Sequence, residues 1–326
     1  MIANKVIVPI CAIFKKNLDL DYKSIKIHIN YLLKKKVEIF YLAQSASELE
    51  RMSRNERYNF AKFACNLIKD KAKIILQPLP TYHIDDQIAE AKDLIKLGCD
   101  GIVIKPQREK GKQDFFSTKF KLSEYDTKRH DKYFFEYMKK INNIISTPII
   151  FHHDEINNSK GLNIKTISKI LKLKNIIALK EHNKSLKTRK SIYKMFGGRW
   201  VCYDGFSKED FVTSYRYGAK SKHSNFSWFD PEWDQLFLKL LEEKQFILAK
   251  KMCKIETDIK KAIILTGYAG YKELIKLKKI VKNNGYTRMP GCNLSSSQKK
   301  ILKVSLKKFE QKKKSFYQTI PNYYKN

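Results

Sequence analysis

Asn175-Ile176-Ile177-Ala178-Leu179-Lys180-Glu181 carries more information about the architecture of this chain than any other stretch. Its four consecutive apolar residues read as a strand covered on both faces, as in the parallel sheet of an α/β protein. The strand ends on a lysine, a side chain that is seldom buried unless something pairs with it or uses it. Near the C-terminal end of a buried strand an ammonium is partly desolvated, which favours the uncharged amine. Such an amine attacks carbonyl carbons to form a Schiff base. The competing reading is a lysine that lays its stem along the strand end and reaches solvent.

The flanking sequence repeats the same alternation. Short apolar runs predict strands over 6–12, 38–43, 73–78, 101–105, 148–153, 175–181, 200–205 and 219–225. Amphipathic stretches at 22–35, 55–68, 84–97 and 163–173 predict helices between them, and Gly98-Cys99-Asp100 and Gly197-Gly198 punctuate the alternation. Eight β-then-α units in succession predict a (β/α)8 TIM barrel, whose reactive groups sit at the C-terminal ends of the strands. A doubly wound sheet is disfavoured because no glycine-rich phosphate loop follows the first strand, where Cys11-Ala12-Ile13-Phe14 stands instead. After Asp230-Pro231 the pattern turns helical and rich in Leu, Ile and Lys. We therefore expect a catalytic barrel over 1–231 and a small C-terminal helical domain over 232–326.

Composition narrows the function. The net charge of +33 invites a nucleic-acid reading, but the excess is mostly lysine spread from end to end with no dense basic tail. Solvated lysine-rich faces account for it, and no nucleic-acid partner is expected. The six cysteines show no C-x-x-C spacing and several lie in apolar runs, which fits reduced core thiols. Residues 1–5 run straight into a strand without a signal pattern, and no apolar stretch approaches membrane-spanning length. A soluble, cytoplasmic protein with no membrane partner is the expectation.

In order and spacing, the residues resemble the dihydrodipicolinate synthase/N-acetylneuraminate lyase family. The resemblance runs from Val8-Pro9-Ile10 through Phe14 and Leu18-Asp19-Leu20-Asp21-Tyr22. It continues through Pro148-Ile149-Ile150-Phe151, the Lys180 strand and Arg288-Met289-Pro290. It implies a Schiff-base class I aldolase in which Lys180 attacks the ketone of pyruvate or a related 2-oxo acid. The resulting enamine adds to an aldehyde, or the reverse cleavage releases one. No cofactor is implied, because the lysine imine is itself the electron sink, and a homotetramer is the assembly that the resemblance suggests.

The departures from the family pattern are informative. Gln44-Ser45-Ala46-Ser47-Glu48 stands at the family's carboxylate-holding Gly-Thr-Thr-Gly-Glu loop. Ser45 and Ser47 offer hydroxyls and Ala46 its N–H, so carboxylate binding survives in kind. The proton-shuttling tyrosine of the family aligns with His152, an imidazole able to move protons near neutral pH. The second tyrosine of the family's strand-four pair aligns with Arg108, which cannot act as an acid at neutral pH. Arg108 and the basic segment 107–132, with Lys110, Lys112 and Lys119, are candidates to receive an anionic substrate. Gly205 resembles the glycine that lets substrate approach the backbone of strand seven, and His223 makes the pocket floor more polar.

Three other readings remain open at this level. A sugar-acid dehydratase would use the same imine. A barrel that has lost catalysis and kept a binding role would explain the broken tyrosine relay. A metal-dependent aldolase would draw on His152, His153, Asp154, Glu155, Glu181 and His182, although adjacent strand residues point to opposite faces. Lys180 and His182 share one face by the same parity.

Overall fold

The computed structural model of the chain describes residues 3–81, 83–106, 124–154, 162–182, 185–196, 201–204, 207–282 and 285–320. Eight parallel strands close into a barrel in sequential order: β1 (Val6–Pro9), β2 (Ile39–Leu42), β3 (Lys73–Leu76), β4 (Gly101–Ile104), β5 (Ile149–Asp154), β6 (Ile176–His182), β7 (Val201–Asp204) and β8 (Ala219–His223). Each pairs with the next, and β1 pairs with β8 through Val6 opposite Lys222 and Ile7 opposite His223. Runs such as Ile74-Ile75-Leu76 and Ile102-Val103-Ile104 are buried on both sides. Helices cover their outer faces and side chains fill the barrel interior.

One helix follows each strand: α1 (Tyr22–Lys34), α2 (Arg54–Ile68), α3 (Ile84–Ile95), α4 (Glu124–Ile144), α5 (Ile164–Leu171), α6 (Leu186–Phe196), α7 (Lys208–Arg216) and α8 (Pro231–Glu242). Their starts are written in the sequence. Asp21 accepts from Ser24 N–H, Asn163 from Lys165 N–H and Ser207 from Asp210 N–H. Ser53 and Glu56 form the reciprocal capping box that their spacing predicts. Asp230 caps α8, with Pro231 at the first position, where its missing N–H costs nothing.

Three further helices, α9 (Phe246–Ile255), α10 (Thr257–Leu277) and α11 (Ser296–Thr319), complete the described chain. Gly267, at φ 57°, breaks α10 into two arms. The core runs continuously from the strands to Trp228, Trp233, Leu274, Leu302 and Phe309. None of the described helices is long and apolar enough to cross a membrane.

Strand β1 is shorter than its apolar run. It ends at Pro9, yet Ile10 to Phe14 remain buried. That burial comes from cover rather than from the ladder: Phe14 lies beneath the ammonium of Lys272 and the guanidinium of Arg288, at 4.6 and 4.7 Å. Arg108, Lys110, Lys112, Lys119 and Gly205 lie outside the described residues.

Candidate active site

Register and parity place the interior groups. His152 on β5 is level with Lys180 on β6, and His153 is level with Glu181. Because side chains alternate along a strand, His152 and Lys180 turn to the barrel interior and the second pair turns outward. Lys180 is 5% exposed and His152 6%. The ammonium of Lys180 sits 5.2 Å from the centre of the Tyr41 ring on β2. Tyr41 in turn meets His223 edge-on at 5.7 Å, and His152 meets His182 edge-on at 5.6 Å. Three of the residues singled out in the sequence, Lys180, His152 and His223, thus converge at the C-terminal end of one barrel.

The polar atoms of these side chains differ sharply in their bonding. Among the described residues, both ring nitrogens of His152 and Nε2 of His223 are buried without a hydrogen-bond partner. Burial, first, and then the charges of Lys180 and Lys105, with the neighbouring imidazoles of His182 and His223, hold the His152 imidazole well below the usual histidine range. His223 is pushed down by the same order of causes, with Lys180 the largest charge acting on it. Both rings are therefore neutral at physiological pH, each able to accept a proton at one nitrogen and give one from the other.

The outer pair is built differently. His153 Nε2 accepts from Leu162 N–H at 3.1 Å, so its hydrogen lies on Nδ1 and is donated to Glu181 at 2.9 and 3.0 Å. Both side chains are fully buried. This arrangement spends the outer histidine and the outer carboxylate on each other. Among the described residues, no three His, Cys, Asp or Glu side chains are grouped as a metal would need.

The loop after β2 forms the other wall. The hydroxyl of Tyr41 donates to Oε1 of buried Gln77, which also accepts from Gln44 N–H at 3.1 Å. Ser47 is turned back into the loop, its Oγ accepting from Ala43 N–H at 3.0 Å. The N–H groups of Ser47, Glu48 and Leu49 bond to carbonyls of residues 43–45. Those of Ser45 and Ala46 take no part in this set. Ser45 Oγ lies 3.5 Å from Glu50.

Glu48 holds the loop from below. It is fully buried in a left-handed conformation (φ 53°), paired with Lys272 of α10 and, at 2.6 Å, with Arg51. Lys272 also donates to Tyr286 O. Arg288, of the Arg-x-Pro element, ties the same region together by donating to Leu18 O, Arg51 O and both oxygens of Glu56.

Sequence reading missed Tyr41, Gln77 and Lys105. Tyr41 reads as one more apolar core residue of Ile39-Phe40-Tyr41-Leu42. Only the parity of β2, counted from a known interior residue, could have turned it inward. A cleft of about 370 Å³ lies at the opposite end of the barrel, lined by Asn4, Lys36, Gln235 and Lys239 among others, and contains none of these groups.

Comparison with known proteins agrees with this geometry. Residues 3–309 match the model of the dihydrodipicolinate synthetase family. A 4-hydroxy-tetrahydrodipicolinate synthase of Clostridium novyi (strain NT) is 23% identical over 168 residues, 51% of this chain; the match spans about half (50%) of that relative's length. The 4-hydroxy-tetrahydrodipicolinate synthase structure from Methylacidiphilum fumariolicum SolV superposes with a TM-score of 0.82 at 15% identity, covering 98% of this chain and 99% of that one. N-acetylneuraminate lyase from Fusobacterium nucleatum gives 0.78 at 18% identity, covering 93% and 98%.

Proposed function

The chain belongs to the dihydrodipicolinate synthetase family, whose members are class I aldolase-type lyases, and on that premise we propose that it forms a Schiff base between Lys180 and a 2-oxo acid such as pyruvate, joining it to an aldehyde or releasing one. The observation that carries this reading is the inward pair on β5 and β6: a buried lysine level with a buried imidazole whose nitrogens are unengaged. Buried polar groups generally have a partner, as His153 has in Glu181 and Leu162 N–H.

The chemistry follows from the positions. Lys180 first gives its proton to solvent; the freed amine then attacks the ketone carbon, and His152, neutral at working pH, relays protons as the carbinolamine forms and loses water. The cationic iminium then withdraws electrons from the adjacent carbon, which loses a proton and becomes a nucleophilic enamine. The N–H groups of Ser45 and Ala46 and the Ser45 hydroxyl are the donors proposed for the substrate carboxylate. No external cofactor is needed, since the imine supplies the electron sink. A dehydratase acting on a sugar acid would share every step up to the enamine.

The test is borohydride reduction in the presence of pyruvate, read by intact mass and peptide mapping. A reduced adduct on the peptide holding Lys180, absent in Lys180→Ala, is the expected result. No adduct with pyruvate or with a panel of 2-oxo sugar acids would remove the proposal in favour of a barrel that binds without catalysis.

A further inference from the structure

The register of three neighbouring strands creates a row that the steps above use only in part. Ile104 pairs with Phe151, so the next residue, Lys105, falls level with His152, which is itself level with Lys180. Strand parity turns His152 and Lys180 into the barrel, on backbones about 4.8 Å apart, and Lys105 continues the row one residue past the end of β4. His152 therefore stands between two lysines. Lys105 is half-buried, and its charge acts on His152, as does that of Lys180. Asp154 follows His152 on β5, level with His182.

A neutral imidazole cannot supply protons on its own account. If it gives up its single N–H, the opposite nitrogen must be refilled in the same event, because an imidazolate is far too basic to persist near neutral pH. His152, kept neutral by burial and with no hydrogen-bond partner among the described residues, can hand on its proton in that step only if another group refills the opposite nitrogen. His223 is neutral for the same reason and is no better supplied. Lys105 carries three donors and directly follows β4, the strand on the side of His152 away from Lys180.

We propose that Lys105 is the proton source of this site, its ammonium recharging His152 as the carbinolamine on Lys180 loses water. The inference rests on the reading of Lys180 as the Schiff-base former. In the balanced step, the nitrogen lone pair of the carbinolamine forms the C=N bond as the C–O bond breaks. The departing oxygen takes the proton of one His152 nitrogen while the other nitrogen takes one from Lys105. Ketone, amine and one proton become iminium and water, and Lys105 is left neutral until solvent reprotonates it. The lysine thus replaces the tyrosine relay that this chain lacks.

Single-turnover imine formation, quenched with borohydride and counted by mass across a range of pyruvate concentrations, tests this in wild type, Lys105→Met and Lys105→Arg. Arginine keeps the charge but not a transferable proton. Both variants should form the Lys180 adduct roughly a hundredfold more slowly at saturating pyruvate. Half-saturation should stay near the wild-type value, and ethylamine, but not guanidine, should restore Lys105→Met. A wild-type rate in Lys105→Arg would show that charge alone is needed and overturn the proposal. Arginine carries the test by itself if the methionine variant fails to fold. An adduct missing from the wild type would sink the parent reading and this one with it, whereas undiminished rates in both variants would sink this one alone.

Discussion

His152 and His153 are neighbours in the chain and equally hidden from solvent, yet one ring has no hydrogen-bond partner and the other has both nitrogens bonded. The difference is that of the two faces of β5 and β6. On the outer face, under the helices, His153 and Glu181 satisfy each other and Leu162 N–H, as a buried polar group must if it is to cost little. On the inner face, Lys180 and His152 sit at the same register with imidazole nitrogens open and cations around them. The outer pair holds two strands in register and the inner pair makes use of that register.

Mutations that separate the faces test this division. Its strongest break is Lys180→Met, which should abolish the trapped adduct outright while far-UV circular dichroism stays native; a persistent adduct elsewhere would move the chemistry off the inner face. Next comes His152→Phe. It should slow imine formation by roughly 10²–10⁴-fold. Yet it should leave stability to urea unchanged or raised by about 1 kcal/mol, because it removes an unpartnered buried polar ring. A large loss of stability would mean the ring is structural after all.

His153→Leu should do the reverse. It takes the His153 donor away from the buried Glu181 carboxylate, at a cost of about 3–5 kcal/mol. The double variant His153→Leu/Glu181→Leu should recover much of that loss, and a double variant no more stable than the single one would break the pairing argument.

The smallest effect concerns acid stability. His28 on α1 donates from Nε2 to Trp228 O at 2.8 Å, and burial pushes its pKa down to about 4. With an unfolded value near 6.5, the unfolded chain binds the proton more readily than the folded one between those limits. The stability due to the neutral ring is thus full above about pH 6.5 and is lost progressively toward about pH 4, by about 3 kcal/mol in all. His152 is shifted in the same direction and adds to the slope. Urea midpoints that stay flat from pH 7 to 5 would contradict both.

The architecture was legible because burial and strand period coincide in it. Ile149 to Phe151 and Ile176 to Leu179 announce covered strands, and Ser53 with Glu56 announces the start of α2. Strand ends were less legible, since Ile10 to Phe14 are as apolar as a strand but are buried by the chain packed above them. Within the site, Lys180 stood out because an apolar strand frames it. Lys105, framed just as well by Ile102-Val103-Ile104, was hidden among 66 basic residues and needed the register of β4 against β5 to be seen. Tyr41 and Gln77 give no local signal at all, because a tyrosine in a strand and a glutamine after one are ordinary. The pairing of His153 with Glu181 depends on which residues stand level across two strands, which spacing in a single strand cannot give.

Glu48 has a consequence for how this protein could be taken apart. Its left-handed backbone costs about 1–3 kcal/mol unless the surroundings enforce it, and here the enforcing ammonium belongs to Lys272, 224 positions away on α10. The wall beside Lys180 is thus moulded by the last third of the polypeptide. A chimera that joins this barrel to the terminal helices of another protein would inherit a misshapen binding loop unless the lysine and its helix travelled with it. Inheritance of this site is indivisible, and the two ends of the chain must change together or not at all.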